Sequence, residues 1–488
     1  MRICLLQVSP NDSRDSNLDG VNDRSDLARY TDQHVFEDRF IRKHQAKQDL
    51  NLAVAESFDL YINYLWGGRE DGVAGVDAVK YLKSLDVPFI GLPSHLLEDR
   101  EIGFCKNTGR RNVPLIVRSR RPSGDKAGLV ECSVCADRKD GSPTAAVSDY
   151  RCTVIEMGNT PVALSPTIYP VFLTGQGTAL SRVENPSLYD GIRQVAEEAF
   201  YSNDMHGCSW CTVHIHTDDG TPSVIGIDLM PPIFLSEAHH SSTEDEAIRA
   251  SFPGGHRALI NTSIATYFLR HRHSQVFKHV GIEFDEVAPR YDALAEGYYI
   301  NNVKEVATKY AYDGTVLDLA CGTGLVGRFH GEAQGLDPCD AHNASRFIGV
   351  DVSLRMRDEC LRHGWYHKVL LGPMQRVVTA YPDAVDHVIC MGALQYLDAN
   401  ELSLVFSRVF QLARRSFTFS ADEIPESYND AQRRRGRAHM HSIDHLAEIE
   451  AYGIPVGWKM TDRWRRIGWK SPTSGDEVYT TIFRFERI

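Results

Sequence analysis

The stretch that most constrains the fold is TVLDLACGTGLVG, which occupies residues 315–327. Its apolar first half predicts a buried strand, and its glycines at 322, 324 and 327 follow the spacing G-x-G-x-x-G. Glycines at this spacing allow a tight turn from a parallel strand into a helix and let the backbone approach a ligand. The pattern therefore predicts an α/β fold with a doubly wound sheet and a ligand crevice at the turn, without identifying the ligand.

Two acidic residues narrow the choice of ligand. Asp318 lies four positions before Gly322, where its carboxylate would repel the pyrophosphate of a dinucleotide but would bind the cationic amino group of S-adenosylmethionine. A second strand is predicted over residues 347–352, and its Asp351 can accept hydrogen bonds from ribose hydroxyls. Together the two acids favour a sulfonium nucleoside over a nicotinamide or flavin dinucleotide.

The segments LDLACGTG at 317–324 and GVDVS at 349–353 resemble the class I S-adenosylmethionine-dependent methyltransferases. The segments FDEVAPRYD at 284–292 and VDHVICMGALQYL at 385–397 extend the resemblance. It implies a Rossmann-like domain, S-adenosyl-L-methionine as cofactor and methyl transfer to a small-molecule acceptor. The cofactor-binding residues that it implies are Tyr291, Asp318, Ala320, Cys321, Gly322, Gly324, Asp351, Val352, Met374 and Met391.

Two departures from the family pattern stand out. Residues 331–345 lengthen the step from Gly324 to Asp351 beyond the roughly 20 residues that are usual, and we interpret them as a surface insertion. The segment LGPM at 371–374 occupies the place where the family often has an acid near the adenine, so Met374 is predicted to contact the adenine instead.

The acceptor side is harder to predict. Methyl transfer from a sulfonium depends on in-line placement and desolvation, so the sequence predicts no dedicated catalytic residue. Packing and surface roles compete with substrate binding for each candidate. The candidates are Tyr299, Tyr396, His439, His441 and Trp464.

The N-terminal half begins with a predicted β-α-β unit over residues 58–91. A hairpin is predicted from strands at 211–216 and 223–229, joined by a turn at 218–220. These segments resemble the ATP-grasp carboxylate–amine ligases of the D-alanine–D-alanine ligase kind, as far as about residue 270. The resemblance implies α+β lobes that bind ATP with magnesium.

The residues that match the ligases' magnesium ligands are His214, Gly226 and Asp228, and only Asp228 offers an oxygen. Arg118 and Lys126 are the candidates for the ATP-binding lysine. We therefore predict a degenerate ATP-grasp module that binds an amino-acid-like or peptide-like acceptor or forms a homodimer platform. A bifunctional ligase and methyltransferase is the alternative.

The chain of 488 residues exceeds the roughly 250 to 300 residues that one core serves. We predict an ATP-grasp-like domain at 1–270, a linker at 271–283 and a methyltransferase domain at 284–488.

The composition argues against several other classes of protein. The net charge of −12 argues against a nucleic-acid partner, and no apolar run is long enough to cross a membrane. Eleven scattered cysteines favour reduced thiols and a cytoplasmic protein. The pairs Cys132/Cys135 and Cys208/Cys211 lie too far apart in sequence for a compact zinc ribbon, so no metal site is predicted.

Overall fold

The computed structural model divides the chain into two compact units, Met1–Ser263 and Ile264–Ile488. The predicted linker at 271–283 overlaps a helix, Gln275–Val287, so most of its described residues are helical. The residues that the structure describes are 1–9, 25–67, 69, 72–98, 102–104, 114–116, 148–168, 178–180, 182, 184–218, 220–234, 242–271, 275–295, 297–338, 345–436, 441, 443–470 and 475–488.

A four-stranded parallel sheet opens the first unit. Its strands are β1 (Arg2–Val8), β2 (Val35–Ile41), β3 (Leu60–Asn63) and β4 (Phe89–Gly91), in the order β2-β1-β3-β4. Five consecutive residues of β1 are buried, as is typical of a parallel strand covered on both faces. Strand β3, helix α2 (Val76–Ser84) and strand β4 form the predicted β-α-β unit. Helices α1 (Ala46–Ala55) and α3 (His95–Glu98) complete this part of the chain.

A largely antiparallel sheet follows, in the order β10-β9-β7-β11-β12-β6-β5, with β8 paired to β7. Helix α4 (Pro186–Ser202) contributes the buried side chains of Ile192, Ala196 and Phe200 to the core of this unit. The predicted hairpin is present as β11 and β12. The strands are β5 (Ile102–Phe104), β6 (Pro114–Ile116), β7 (Ser148–Met157), β8 (Thr160–Ala163), β9 (Thr167–Ile168), β10 (Thr178–Ala179), β11 (Trp210–Asp218) and β12 (Thr221–Asp228). Helices α5 (Thr243–Ser251) and α6 (Gly255–His271) follow.

The second unit contains a seven-stranded sheet in the order β15-β14-β13-β16-β17-β19-β18. The first five strands of that order pair in parallel, and the last two pairings are antiparallel. Strand β13 lies between β14 and β16, so the chain reverses its direction across the sheet at β13, the position where doubly wound folds bind ligands. The predicted doubly wound sheet is therefore confirmed. The strands are β13 (Gly314–Leu319), β14 (Ser345–Asp351), β15 (Lys368–Leu371), β16 (Val385–Cys390), β17 (Ala413–Glu423), β18 (Trp458–Lys470) and β19 (Glu477–Arg487).

Helices of the second unit pack around this sheet and bury an aromatic core that includes Phe406, Phe410, Phe417 and Phe419. Asp398 and Glu401 form a reciprocal cap at the start of the helix that carries Phe406. The helices are α7 (Gln275–Val287), α8 (Tyr291–Leu294), α9 (Tyr298–Lys309), α10 (Leu325–Ala333), α11 (Leu354–His363), α12 (Met374–Ala380), α13 (Ala399–Leu412), α14 (Glu426–Arg434) and α15 (His445–Tyr452).

Two kinds of feature are absent from the described residues. None of the helices in this part of the chain has the length and apolar character to span a bilayer. No group of three or more His, Cys, Asp or Glu side chains among the same residues could hold a metal ion. Of the two cysteine pairs, Cys208 and Cys211 are buried free thiols, whereas Cys132 and Cys135 lie outside the described residues.

Candidate functional site

The turn after β13 has the predicted strand-turn-helix geometry. Strand β13 ends at Leu319, and α10 begins at Leu325. Between them, Ala320, Gly322 and Gly324 have φ values of 60°, 54° and 86°. Glycine adopts this left-handed region without penalty, whereas Ala320 costs about 1–2 kcal/mol there. The tight turn therefore depends on the two glycines and strains the residue that follows the strand.

The glycines of this region have different roles. A Cβ at Gly327 would lie 2.6 Å from Cε2 of Tyr366, and one at Gly349 would lie 2.5 Å from Sγ of Cys321. The nearest atom to a Cβ at Gly322 is Cε1 of Tyr291, at 3.7 Å. Gly322 therefore leaves open space beside the turn, whereas Gly327 makes room for the ring of Tyr366.

Asp318 lies one residue before the end of β13, and only 1% of its surface is exposed. The hydroxyl of Tyr366 donates a hydrogen bond to its Oδ2. Burial raises the pKa of Asp318 to about 7, although the hydrogen bond from Tyr366 opposes this shift. Within the described ranges, no Lys, Arg or His side chain forms an ion pair with it. A buried acid without a cationic neighbour is a good binding site for a positively charged ligand.

Asp351 is the last residue of the neighbouring strand β14, and its side chain connects this strand to the glycine turn through hydrogen bonds. Its Oδ2 accepts a hydrogen bond from the backbone N–H of Gly322 at 2.9 Å, and its Oδ1 accepts one from Ser353 at 2.8 Å. Burial raises the pKa of Asp351 to about 6, despite these amides. Each carboxylate oxygen keeps a second lone pair, so Asp351 can still accept hydrogen bonds from a ligand's hydroxyls.

A small pocket opens between the turn, α9 and the end of β16. The hydroxyl of Tyr299 donates to the carbonyl of Met391 at 3.2 Å, and the rings of Tyr291 and Tyr299 meet edge to face at 6.5 Å. The pocket brings together six of the predicted cofactor residues and one predicted acceptor residue. It is lined by Tyr291, Tyr299, Val303, Asp318, Ala320, Cys321, Gly322, Leu325, Val326 and Met391.

The other four predicted cofactor residues, which are Asp351, Gly324, Val352 and Met374, are not in the lining of this pocket. Gly324 lies under the turn, where a Cβ would be 2.8 Å from Sγ of Cys360. The backbone of Val352 packs against α7 instead, where a Cβ added at Gly281 would lie 3.1 Å from the Val352 carbonyl oxygen. Met374 begins α12 and belongs to the core of the unit.

The remaining acceptor candidates are scattered. The ring of Tyr396 is half-buried and lies 6.1 Å from that of Phe284. Burial lowers the pKa of His441, whose backbone N–H donates to Gln395. Trp464 lies on β18 beside Tyr310, outside the pocket lining. His439 lies outside the described residues.

Two supporting residues had no role in the sequence interpretation. Tyr366 lies 48 positions after Asp318 in the sequence, so no local motif could predict the contact between them. Asp292 accepts a hydrogen bond from Thr323 at 2.6 Å and pairs with Arg328 at 2.9 Å, which holds the turn and the first part of α10. Asp292 belongs to the FDEVAPRYD segment, and its carboxylate directly after Tyr291 was a usable signal.

Comparisons with known proteins found no matching family model and no matching curated protein. Among solved structures, magnesium protoporphyrin IX methyltransferase from Synechocystis PCC 6803, with bound SAH, is 14% identical with a TM-score of 0.32, covering 44% of this chain and 100% of its own. A SAM-dependent methyltransferase from Anabaena variabilis is 13% identical with a TM-score of 0.31, over 44% and 95%. An S-adenosylmethionine-dependent methyltransferase from Clostridium acetobutylicum is 15% identical with a TM-score of 0.28, over 42% and 98%. Similarities this low carry no argument about activity, which depends instead on the geometry of the site.

Proposed function

We propose that the second unit is an S-adenosylmethionine-dependent methyltransferase that acts on a small molecule. The observation that carries this proposal is the placement of Asp318 and Asp351. These two buried acids lie at the carboxyl ends of adjacent parallel strands and flank a glycine turn that opens onto a pocket. Asp318 would bind the amino group of the cofactor, and Asp351 would bind the ribose hydroxyls.

Charge favours this cofactor over a dinucleotide. The charged forms of Asp318 and Asp351 are disfavoured by burial, and each would be disfavoured further by a pyrophosphate at the same turn. A cationic amino group has the opposite effect, since it stabilises the ionised form of Asp318. The pocket is therefore better suited to a positively charged nucleoside.

The residues that line the pocket suit a methyl transfer whose rate depends on how the two reactants are oriented. When bound, the sulfonium supplies an activated methyl group, so the protein has to orient the two reactants and exclude water. The half-buried Tyr291 and Tyr299 and the buried Met391 line the same pocket as Asp318. Tyr299 would hold the acceptor close to the methyl group, while Tyr291 and Met391 would contact the cofactor, and none of the three would act as acid or base.

Cofactor affinity should depend on pH. Because binding a cation requires ionised Asp318, affinity should fall as the pH falls through about 7, the pKa of that group. Between about pH 8 and about pH 5.5 we expect a loss of about 30-fold, since the ionised fraction falls by about that factor. Calorimetric titration with S-adenosylmethionine across this range measures the effect. A constant affinity would contradict the role of Asp318, and an absence of binding at any pH would contradict the proposed function.

For the first unit we propose an ATP-grasp-like module that has lost ligase activity. His214 pairs with Gly226 across the hairpin, so that position of the sheet offers no carboxylate to magnesium. Burial lowers the pKa of His214 to about 3, which keeps it neutral. Asp228 accepts a hydrogen bond from the backbone of Met230 at 2.8 Å. Arg118 and Lys126 lie outside the described residues.

This second proposal predicts that the purified chain releases no ADP above background with magnesium and ATP, with amino acids or dipeptides as added acceptors. Coupled detection of ADP measures it, and a single-turnover burst or steady release would establish the bifunctional ligase and methyltransferase instead. If the assay is silent, sedimentation of the full chain tests the remaining role as a homodimer platform.

A further inference from the structure

A third acid, Asp422, lies near the carboxyl end of β17 and is 6% exposed. Ile389 of β16 pairs with both Asp318 and Thr418, so these three residues share one face of the sheet. Asp422 follows Thr418 by four residues on β17. Because side chains alternate along a strand, this even spacing places both side chains on the same face of the sheet. Strand β17 extends past the end of β16, which places Asp422 beyond the edge where the proposed cofactor site lies.

The carboxylate of Asp422 is held firmly. The indole Nε1 of Trp469 donates a hydrogen bond to its Oδ2 at 2.9 Å, whereas the hydroxyl of Thr480 donates to the carbonyl of Ala421 instead. The ring of Tyr428 packs edge to face on Trp469, with 5.4 Å between centroids. Over the described parts of the unit, no Lys, Arg or His side chain forms an ion pair with Asp422. One neutral donor therefore orients the carboxylate and leaves its charge uncompensated.

Three tyrosines lie within electrostatic range of this charge. Burial raises the pKa of Tyr291, Tyr299 and Tyr396, and the negative charge of Asp422 contributes to each increase. All three residues are half-buried. A buried carboxylate within electrostatic range of aromatic rings is a favourable arrangement for a cation, since both the charge and the rings attract it.

Two buried amides add hydrogen-bond acceptors to this region. Gln395 directly precedes Tyr396 and is 5% exposed, and Gln432 is 8% exposed. Gln432 lies one helical turn after Tyr428 on α14, and therefore on the same face of that helix. Among the described residues, the Oε1 atoms of both glutamines lack a hydrogen-bond partner. Buried acceptors without donors are costly, so the missing partner should carry N–H or O–H groups.

We propose that the acceptor of the methyl group is an amine whose nitrogen is held by Asp422 among the rings of Tyr291, Tyr299 and Tyr396. This inference rests on the proposed methyl transfer. The acceptor binds as an ammonium ion, and Asp422 takes one proton from it, which frees the nitrogen lone pair. That pair forms the new C–N bond as the methyl C–S bond breaks, and the C–S electron pair remains on sulfur as a neutral thioether. The proton leaves Asp422 for solvent.

The raised pKa of Asp422, which is due to burial, makes the carboxylate a stronger base for this step. Acceptors with a carboxylate as the methylated group fit less well, because Asp422 would repel them. They would also leave the Oε1 atoms of Gln395 and Gln432 without donors.

The test compares three probes of similar size: benzylammonium, benzyl alcohol and benzoate. Each is titrated into the full chain with and without S-adenosylhomocysteine, and binding is followed by ligand-observed NMR. We expect wild type to bind benzylammonium at least about tenfold more tightly than either other probe. Asp422→Asn keeps an oxygen for Trp469 but loses the charge, and should lose this preference. The neighbouring Glu423→Gln, which removes a charge paired with Arg465, should retain it.

A second variant keeps the test decisive if Asp422→Asn fails to fold. Tyr396→Leu should weaken benzylammonium by about threefold or more and leave benzyl alcohol unchanged. Equal binding of the three probes to wild type, or an unchanged preference in folded Asp422→Asn, would overturn the amine assignment. Failure of S-adenosylhomocysteine to bind would overturn the proposed methyl transfer instead, while the probe titrations without it still decide the role of Asp422.

Discussion

Replacing Asp318 with asparagine should weaken the binding of S-adenosylmethionine by about 10-fold to 150-fold, the equivalent of about 1.5–3 kcal/mol. Asparagine retains an oxygen that can accept the hydrogen bond from Tyr366, so the turn should keep its shape. What it loses is the negative charge that faces the cofactor's amino group. Calorimetry at about pH 8, where Asp318 is ionised, measures the difference.

The same substitution should stabilise the protein without ligand. The folded-state pKa of Asp318, about 7, lies above the ordinary value of 3.8. Its contribution to stability is therefore complete below about pH 4 and is lost as the pH rises through about 7. Asparagine avoids this loss, so Asp318→Asn should raise the free energy of unfolding by about 2–4 kcal/mol at about pH 8, and by much less near pH 4.

Thermal unfolding of unligated protein at the two pH values checks this result. Asp313→Asn is a matched control, because Asp313 is exposed just before the same strand and its pKa is lowered by a hydrogen bond from Arg415. The control should leave cofactor affinity unchanged and should not stabilise the protein at about pH 8. If Asp318→Asn binds S-adenosylmethionine as tightly as wild type, Asp318 is not the ligand for the amino group.

Gly327→Ala should destabilise the second unit, although alanine is ordinarily the better helix former by about 1 kcal/mol. Gly327 lies inside α10 with an ordinary helical backbone, so the substitution causes no strain in φ. The new methyl group would lie 2.6 Å from Cε2 of Tyr366, a rigid ring whose hydroxyl bonds to Asp318. Overpacking of this kind costs about 1–3 kcal/mol, and the displaced ring should also weaken cofactor binding.

Gly191→Ala should have the opposite effect on stability from Gly327→Ala. Gly191 lies within α4, and the nearest atom to a Cβ there is Cγ of Pro222, at an ordinary contact distance of 3.7 Å. That substitution should stabilise the first unit by about 0.5–1 kcal/mol. Urea unfolding, with the two units followed separately by hydrogen exchange, compares the two variants. A stabilised Gly327→Ala protein would mean that Tyr366 does not occupy the position described.

Local patterns predicted the part of the site that the chain builds from neighbouring residues. The strand, the turn and the start of α10 follow one another within residues 314–333, so the glycine spacing was enough to predict them. The role of Gly327 was not predictable in the same way, because it depends on Tyr366, which follows a different helix. Sequence spacing cannot say whether a glycine makes room for a ligand or for a side chain.

The acceptor side shows the same limit. Trp464 looked like a candidate because of its residue type, but β18 places it beside Tyr310. Asp422 was not considered, since it occurs in no motif and its position depends on the parallel register between β16 and β17. The predicted linker was inferred from a change in composition, whereas the spacing of Val280, Phe284 and Val287 was already typical of a helix such as Gln275–Val287.

On the proposed function, the buried charge of Asp318 links the cellular lifetime of this protein to the supply of S-adenosylmethionine. A copy without a bound cation carries the desolvation penalty of Asp318 at neutral pH, whereas bound S-adenosylmethionine would stabilise the folded state by its net binding free energy, which includes relief of that penalty. Proteases act on the transiently opened form, so a cell starved of methyl donor should degrade this chain faster than a well-fed one. The abundance of the protein would then follow the supply of methyl donor in the cell without any dedicated regulator.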